Sequence, residues 1–247
     1  MRIFQLTDLH LTKEGQATDF GVDIRERFLT LLNIIRWEKP DYLMITGDVC
    51  YDVPEQKVYD WAKAQLDDLK VPYSVLSGNH DESVMMAEVF GLQHSLLHGK
   101  ELFYSLQLDQ WDCICLDSAR GSLSDLQMGW LQQQFRHLEG EVIVFMHHPP
   151  LQAGVPFMDI NYPMKQTAPL LNVFFNHHHP VHLYCGHYHV EKNLRLQNLT
   201  INISPSLYFQ LDRHTPEFRL DHTNGGFREI MLEDGKVSST VRYLSMY

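Results

Sequence analysis

Two features of the sequence predict an α/β fold. Short apolar runs alternate with stretches of helical periodicity from residue 2 to about 190, and the remaining runs are short and strand-like. A third observation bears on domain organisation: no Pro/Gly/Ser-rich linker interrupts the 247 residues, so 1–247 reads as a single domain.

Residues 2–7 form the first expected strand, followed by a helix over 23–37 with Ile24, Phe28, Leu31, Leu32 and Ile35 on one face. A strand over 41–46 ends in Gly47-Asp48, and a helix over 55–69 leads to a strand over 71–76 that ends in Ser77-Gly78-Asn79-His80-Asp81. Such alternation predicts parallel pairing through right-handed crossovers, with polar side chains past the strand ends converging on one edge. A helix over 83–90, strands over 102–108 and 112–117, and a helix over 124–137 come next. The strand over 141–146 delivers His147-His148-Pro149-Pro150. Residues 149–163 hold four prolines and a glycine, too punctuated for regular structure, and read as a lid or rim loop. A helix over 164–176 precedes the strand 181–185, which delivers Gly186-His187-Tyr188-His189. From about 190 to 247, runs at 190–196, 200–203, 226–233 and 236–243, the last two joined by Asp234-Gly235, predict a second, largely antiparallel sheet.

The net charge of -11 argues against general nucleic-acid binding, which needs a basic face, but a metal site can reverse the sign locally. Composition, 44% hydrophobic and 21% charged, is ordinary for a globular protein and suggests no membrane span. Four cysteines without CxxC spacing read as reduced core thiols, Cys113 and Cys115 sharing one strand face. With no signal-peptide pattern at the start, a cytoplasmic location is expected. His177-His178-His179 at a helix end reads as a solvated turn.

Five strand ends therefore deliver, in order, Asp8-Leu9-His10, Gly47-Asp48, Gly78-Asn79-His80-Asp81, His147 and Gly186-His187-Tyr188-His189. This series resembles the calcineurin-like metallophosphoesterase superfamily pattern D-x-H, G-D, G-N-H-[ED], H, G-H-x-H over residues 6 to about 190. The resemblance implies that superfamily's α/β/β/α sandwich, two mixed sheets flanked by helices, and a dinuclear centre. It assigns Asp8, His10, Asp48 and His189 to one ion, and Asp48, Asn79, His147 and His187 to the other. An extended D-x-H segment would aim Asp8 and His10 to the same side, and the same period applies to His187 and His189. Asp48 is the candidate bridge. A set of imidazole, carboxylate and amide donors suits Mn, Fe, Zn, Co or Ni, with Mn and Fe favoured.

Two divalent ions, two aspartates and a bridging hydroxide would leave a net charge of about +1, which draws a phosphate into an acidic protein. The hydroxide would attack phosphorus, with His80, outside the ligand set, as general acid. Asp81 would support the ligands or open the following helix.

Finer detail is similar to the class III cyclic-nucleotide phosphodiesterases, the bacterial 3′,5′-cAMP type. It rests on 146–150 with Gly154 and Phe157-Met158-Asp159, on 183–189, and on the tail Ser204-Pro205-Ser206, Phe209-Gln210, Phe218-Arg219-Leu220-Asp221, Gly226-Phe227-Arg228 and Asp234-Gly235. Leu207-Tyr208 and Asn224-Gly225 depart from that pattern, which bears on substrate rather than chemistry. The implied reaction is hydrolysis of cAMP to the 5′-monophosphate. Phe157, Met158 and Tyr162 either stack on a nucleobase or pack the loop onto the body. His148 and His189 are further candidate substrate contacts, with His148 equally able to be a hydrogen-bonded support. Glycerophosphodiester, 2′,3′-cyclic nucleotide or broad phosphodiester hydrolysis, and a non-catalytic scaffold, stay open, as does a homodimer. Gly47-Asp48 lacks the arginine-rich continuation of the serine/threonine phosphatases, and His80 stands where lipid-A pathway pyrophosphatases carry arginine.

Overall fold

In a computed structural model, which describes residues 1–244, the expected α/β alternation is present. β1 (Arg2–Leu6), α1 (Ile24–Glu38), β2 (Tyr42–Thr46), α2 (Gln56–Leu69), β3 (Tyr73–Leu76) and α3 (Ser83–Phe90) follow in chain order. The three strands pair in parallel. Their burial is two-sided, which explains the unbroken apolar runs. Phe4, Leu6, Leu43, Ile45 and Val75 meet α1 and α2, whereas Ile3, Met44 and Leu76 face a second sheet. The start and end of α1 are written locally: the Asp23 side chain accepts from the Glu26 N–H, and Lys39, in the left-handed region before Pro40, closes the last turn onto the Ile35 carbonyl.

A two-residue hairpin, β4 (Leu96–Leu97) and β5 (Glu101–Leu102), precedes β6 (Tyr104–Leu108) and β7 (Trp111–Leu116), so the run expected at 102–108 breaks at Phe103. α4 (Asp125–His137), β8 (Val142–Met146), α5 (Pro156–Asn161), α6 (Thr167–Phe175) and β9 (Val181–Cys185) follow. Residues 149–163 are thus not wholly irregular. Pro156 occupies the first turn of α5, where its fixed φ suits a helix and its missing N–H costs nothing.

The expectation of a separate C-terminal antiparallel sheet is corrected. β10 (Lys192–Leu196) and β11 (Leu199–Ile203) join the second sheet, with β11 parallel to β9, in the order β10-β11-β9-β8-β7-β6. β12 (Gln210–Leu211) and β13 (Leu220–His222) form a small ribbon. β14 (Gly226–Glu233) and β15 (Lys236–Tyr243) extend the first sheet, β14 running antiparallel to β1, in the order β15-β14-β1-β2-β3. A strand's pattern reports that it is half-buried, not which edge covers it. The two sheets pack face to face through Ile3, Met44, Cys113, Cys115, Ile143, Phe145 and Ile230, and α4 and α6 cover the outer face of the second. All four cysteines are buried and free. No helix among the described residues is long and apolar enough to cross a membrane.

Candidate metal centre

The loops after β1, β2, β3, β8 and β9 meet at one end of the two sheets and are stitched together by main-chain bonds. Asp8 N–H donates to the Gly47 carbonyl (3.0 Å), His10 N–H to that of Asp48 (2.9 Å), and Gly186 N–H to that of His147 (3.0 Å). Two glycines permit this approach. A Cβ on Gly78 would stand 2.2 Å from Asp48 Oδ1, and one on Gly186 1.9 Å from Thr7 Oγ1.

Asp8, His10, Asp48, His187 and His189 all have φ between +46° and +68°, a region that L side chains rarely adopt. This corrects the reasoning for the D-x-H and H-x-H pairs: their side chains converge from left-handed turns beyond the strands, not from extended backbone. They converge nonetheless. His189 Nε2 lies 3.2 Å from Asp8 Oδ1, His147 Nε2 3.3 Å from Asp48 Oδ2, and His10 Nε2 3.9 Å from Asp48 Oδ2. Groups able to hold an ion include Asp8, His10 and His189, and also Asp8, Asp48 and His147.

Main-chain carbonyls orient the rings. Nδ1 of His10, His147 and His189 faces the carbonyl of Tyr51 (3.2 Å), Thr46 (2.9 Å) and Phe209 (3.2 Å). A carbonyl only accepts, so each Nδ1 carries the hydrogen and each Nε2 lone pair points into the centre. His187 is reversed: Nε2 donates to the Tyr162 carbonyl (3.1 Å), leaving Nδ1 free.

Burial by itself would raise both carboxylate pKa values. His189 and His147 outweigh it at Asp8, holding it at about 2, and His147 outweighs it at Asp48, holding that group well below the carboxylate range. Burial lowers His147, but Asp48 and then Asp8 overcome it and raise the ring to about 9. His147 Nε2 is fully buried and has no hydrogen-bond partner among the described residues. It faces the Asp48 carboxylate 3.3 Å away, where positive charge is favoured and a bound cation would be held between ring and carboxylate. These orphaned and converging donors fit a metal centre.

The other expected site residues divide. Asn79 is exposed and lines the cleft above the centre. His80 is part-exposed, its Nδ1 2.9 Å from the Asp52 carbonyl and its Nε2 4.0 Å from Asp48 Oδ2. His148 is buried behind His187, with ring centroids 4.1 Å apart and Nδ1 3.0 Å from Ser118 Oγ, and it is not among the cleft-lining residues. Asp81 does not cap α3; Glu82 does. Instead the Asp81 carboxylate accepts from the N–H groups of Val49, Cys50 and Gly78 and from Tyr59 Oη–H, tying two of the loops together. Phe157 and Met158 both line the cleft, Met158 being the more buried.

That cleft has a volume of about 610 Å³. Its walls include Phe20 and Tyr51, which sequence reasoning missed because they carry no motif, and Tyr208 and Phe209, which belong to the C-terminal stretch compared above, Tyr208 at a departure expected to bear on substrate. A second cleft, of about 690 Å³ beside α4 and α6, includes His177, His178 and His179 and lies apart from these donors. His177 is buried, its Nε2 2.8 Å from the Gly140 carbonyl, so the triplet is only partly the solvated turn expected.

The chain is 33% identical over 220 residues to a probable cyclic nucleotide phosphodiesterase of Fibrobacter succinogenes, covering 89% of this chain and 85% of that protein. It is 29% identical over 255 residues to the 3′,5′-cyclic adenosine monophosphate phosphodiesterase of Escherichia coli, covering 99% and 90%. Among solved structures, a dimetal phosphatase from Danio rerio shares the fold, with a TM-score of 0.73 at 12% identity over 98% of this chain and 96% of that one. The family profile described as calcineurin-like phosphoesterase matches residues 1–191, and with the converging donors this establishes that the chain belongs to that family of metal-dependent phosphoesterases.

Proposed function

We propose that this phosphodiesterase hydrolyses 3′,5′-cyclic nucleotides, cAMP foremost, to 5′-monophosphates. The observation that supports the reading is the position of His10, Asp48, His187 and His189, which line an aromatic-walled cleft of about 610 Å³, large enough for a nucleotide. The names of the two relatives point the same way. Asp8, His10, Asp48 and His189 would hold one ion, and Asp48, Asn79, His147 and His187 the other. When bound, the ions supply Lewis acidity, polarising the phosphoryl oxygens and making water acidic enough to attack near neutral pH.

The protein's own groups do the rest. Asp48 and Asp8 are kept ionised by the surrounding rings. The Asp52 carbonyl keeps a hydrogen on His80 Nδ1, so the proton for the leaving 3′ oxygen comes from Nε2, which faces the cleft. Phe157 and Met158 contact the base side. On this reading the whole chain acts as one domain in the cytoplasm, where four buried, unbridged thiols stay reduced.

The test is a panel with added Mn: 3′,5′-cAMP, 2′,3′-cAMP, a glycerophosphodiester and p-nitrophenyl phosphate. The highest kcat/KM is expected for 3′,5′-cAMP, and a higher value for the glycerophosphodiester would replace this assignment. Metal analysis should find two ions per chain, both lost together with activity in Asp48→Ala.

A further inference from the structure

The cleft contains a charge pattern that the metal donors do not explain. Its mouth carries two exposed carboxylates, Asp19 and Asp52, and no lysine or arginine is among the described residues that line it. Sites that take dianionic phosphates or polyphosphates ordinarily supply guanidinium or ammonium groups to the outer oxygens. Among the described residues that line the cleft, positive charge can gather only at the floor and at His80 beside it, and a ligand with charge at the mouth meets carboxylates. The main chain of both residues is held at the cleft: Asp19 N–H donates to Tyr51 Oη (3.0 Å), and the Asp52 carbonyl accepts from His80 Nδ1 (2.9 Å).

The walls favour the opposite kind of group. Phe20 and Phe218 have nearly parallel rings, 11° apart with centroids 6.1 Å apart, and Phe157 meets Phe218 edge-on. Phe218 is nonetheless 50% exposed. An aromatic face left open beside a phosphate-sized floor offers stacking to a planar group.

We infer that Asp19 and Asp52 act with Phe20 and Phe218 as a selectivity filter that admits a singly charged phosphodiester bearing an aromatic group and rejects dianionic monoesters and polyphosphates. This deepens, and rests on, the phosphodiesterase reading above. It also bears on turnover. Hydrolysis adds water across one P–O bond, so the monoester product gains an ionisable oxygen, and the rim that tolerates the substrate repels the product.

The test compares bis(p-nitrophenyl) phosphate, a monoanion, with p-nitrophenyl phosphate, a dianion with the same leaving group, on the Mn-loaded enzyme. In Asp19→Asn/Asp52→Asn the diester-to-monoester ratio of kcat/KM should fall about tenfold, chiefly through a lower KM for the monoester. An unchanged ratio overturns the filter and leaves the phosphodiesterase reading standing. Failure of the wild type to hydrolyse either ester overturns that reading and the filter with it. A readout without catalysis tests the wall: by titration calorimetry on Mn-loaded protein, with adenosine, which has no phosphoester to hydrolyse, Phe218→Ala should weaken binding about tenfold. Equal affinities overturn the aromatic half of the inference.

Discussion

His10 Nε2 and His189 Nε2 lie 3.1 Å apart, although the Nδ1 of each ring is committed to a main-chain carbonyl. The two Nε2 atoms therefore converge beside Asp8 and Asp48, an arrangement that a cation held among them stabilises. Added Mn should raise the melting temperature. At a free concentration about 100 times Kd, linkage gives about 2.7 kcal/mol, or roughly 5–10 °C for a chain of this length. Calorimetry with Mn and with EDTA checks this; equal melting temperatures would contradict a metal site at these rings.

For His80→Ala, unchanged metal content and a kcat reduced about 10²- to 10⁴-fold are expected. The ring is close enough to His10 and Asp48 to share an ion with them, but unlike the buried donors it is part-exposed and its Nε2 stands 4.0 Å from Asp48 Oδ2, so it is expected to face substrate rather than metal. The loss should be smaller for substrates with p-nitrophenolate as leaving group, which departs without a proton. Equal losses across leaving groups would remove the acid role.

Far from the centre, Glu38 bridges Arg242 (2.5 Å) and Arg2, and Glu229 joins both arginines, clamping α1 to β1, β14 and β15. Hydrogen bonding from Arg242, and then from Arg2, outweighs burial and lowers Glu38 to about 2. A depressed carboxylate pKa means that the stabilisation is complete above the unfolded value near ~4.3 and is lost as pH falls toward about 2. After allowance for partial exposure, Glu38→Gln should cost about 1 kcal/mol at pH 7. The gap to wild type in urea unfolding should close as pH falls from ~4 toward 2; a gap independent of pH would refute the clamp.

Asp159 fastens the 149–163 segment to the centre. Its carboxylate accepts from Ala153 and Val155 N–H and from Tyr188 Oη–H, each at 2.8 Å, and Tyr188 lies between His187 and His189. Asp159→Ala leaves buried donors unpaired, so a loss of about 2 kcal/mol is expected. KM should rise several-fold because Phe157 and Tyr162 lose their positions, and Tyr188→Phe should show the same pattern more weakly. An unchanged KM in both variants would show the segment to be independent of substrate.

Much of the fold was legible because its signals are local. α3 and both C-terminal hairpin strands fall at the expected residues, and α1 lies within one residue of the 23–37 expected for it. The order of polar residues after β1, β2, β3, β8 and β9 was legible for the same reason: each follows an apolar run that ends abruptly. α5 was missed because proline was weighed as a breaker when its place in the first turn made it compatible with a helix.

What the sequence by itself determined is the inventory: which donors exist, in what order, and that each stands at a strand end. Only the tertiary structure decided how β10, β11, β14 and β15 are shared between two sheets, which nitrogen of each imidazole points inward, and that Phe20 and Phe218 stack in a cleft that Asp19 and Asp52 also line. The reason is physical. A run of residues encodes its own period and burial, whereas strand partners, ring tautomers and cleft walls depend on contacts between segments as distant as His10 and His189, and no local pattern carries them.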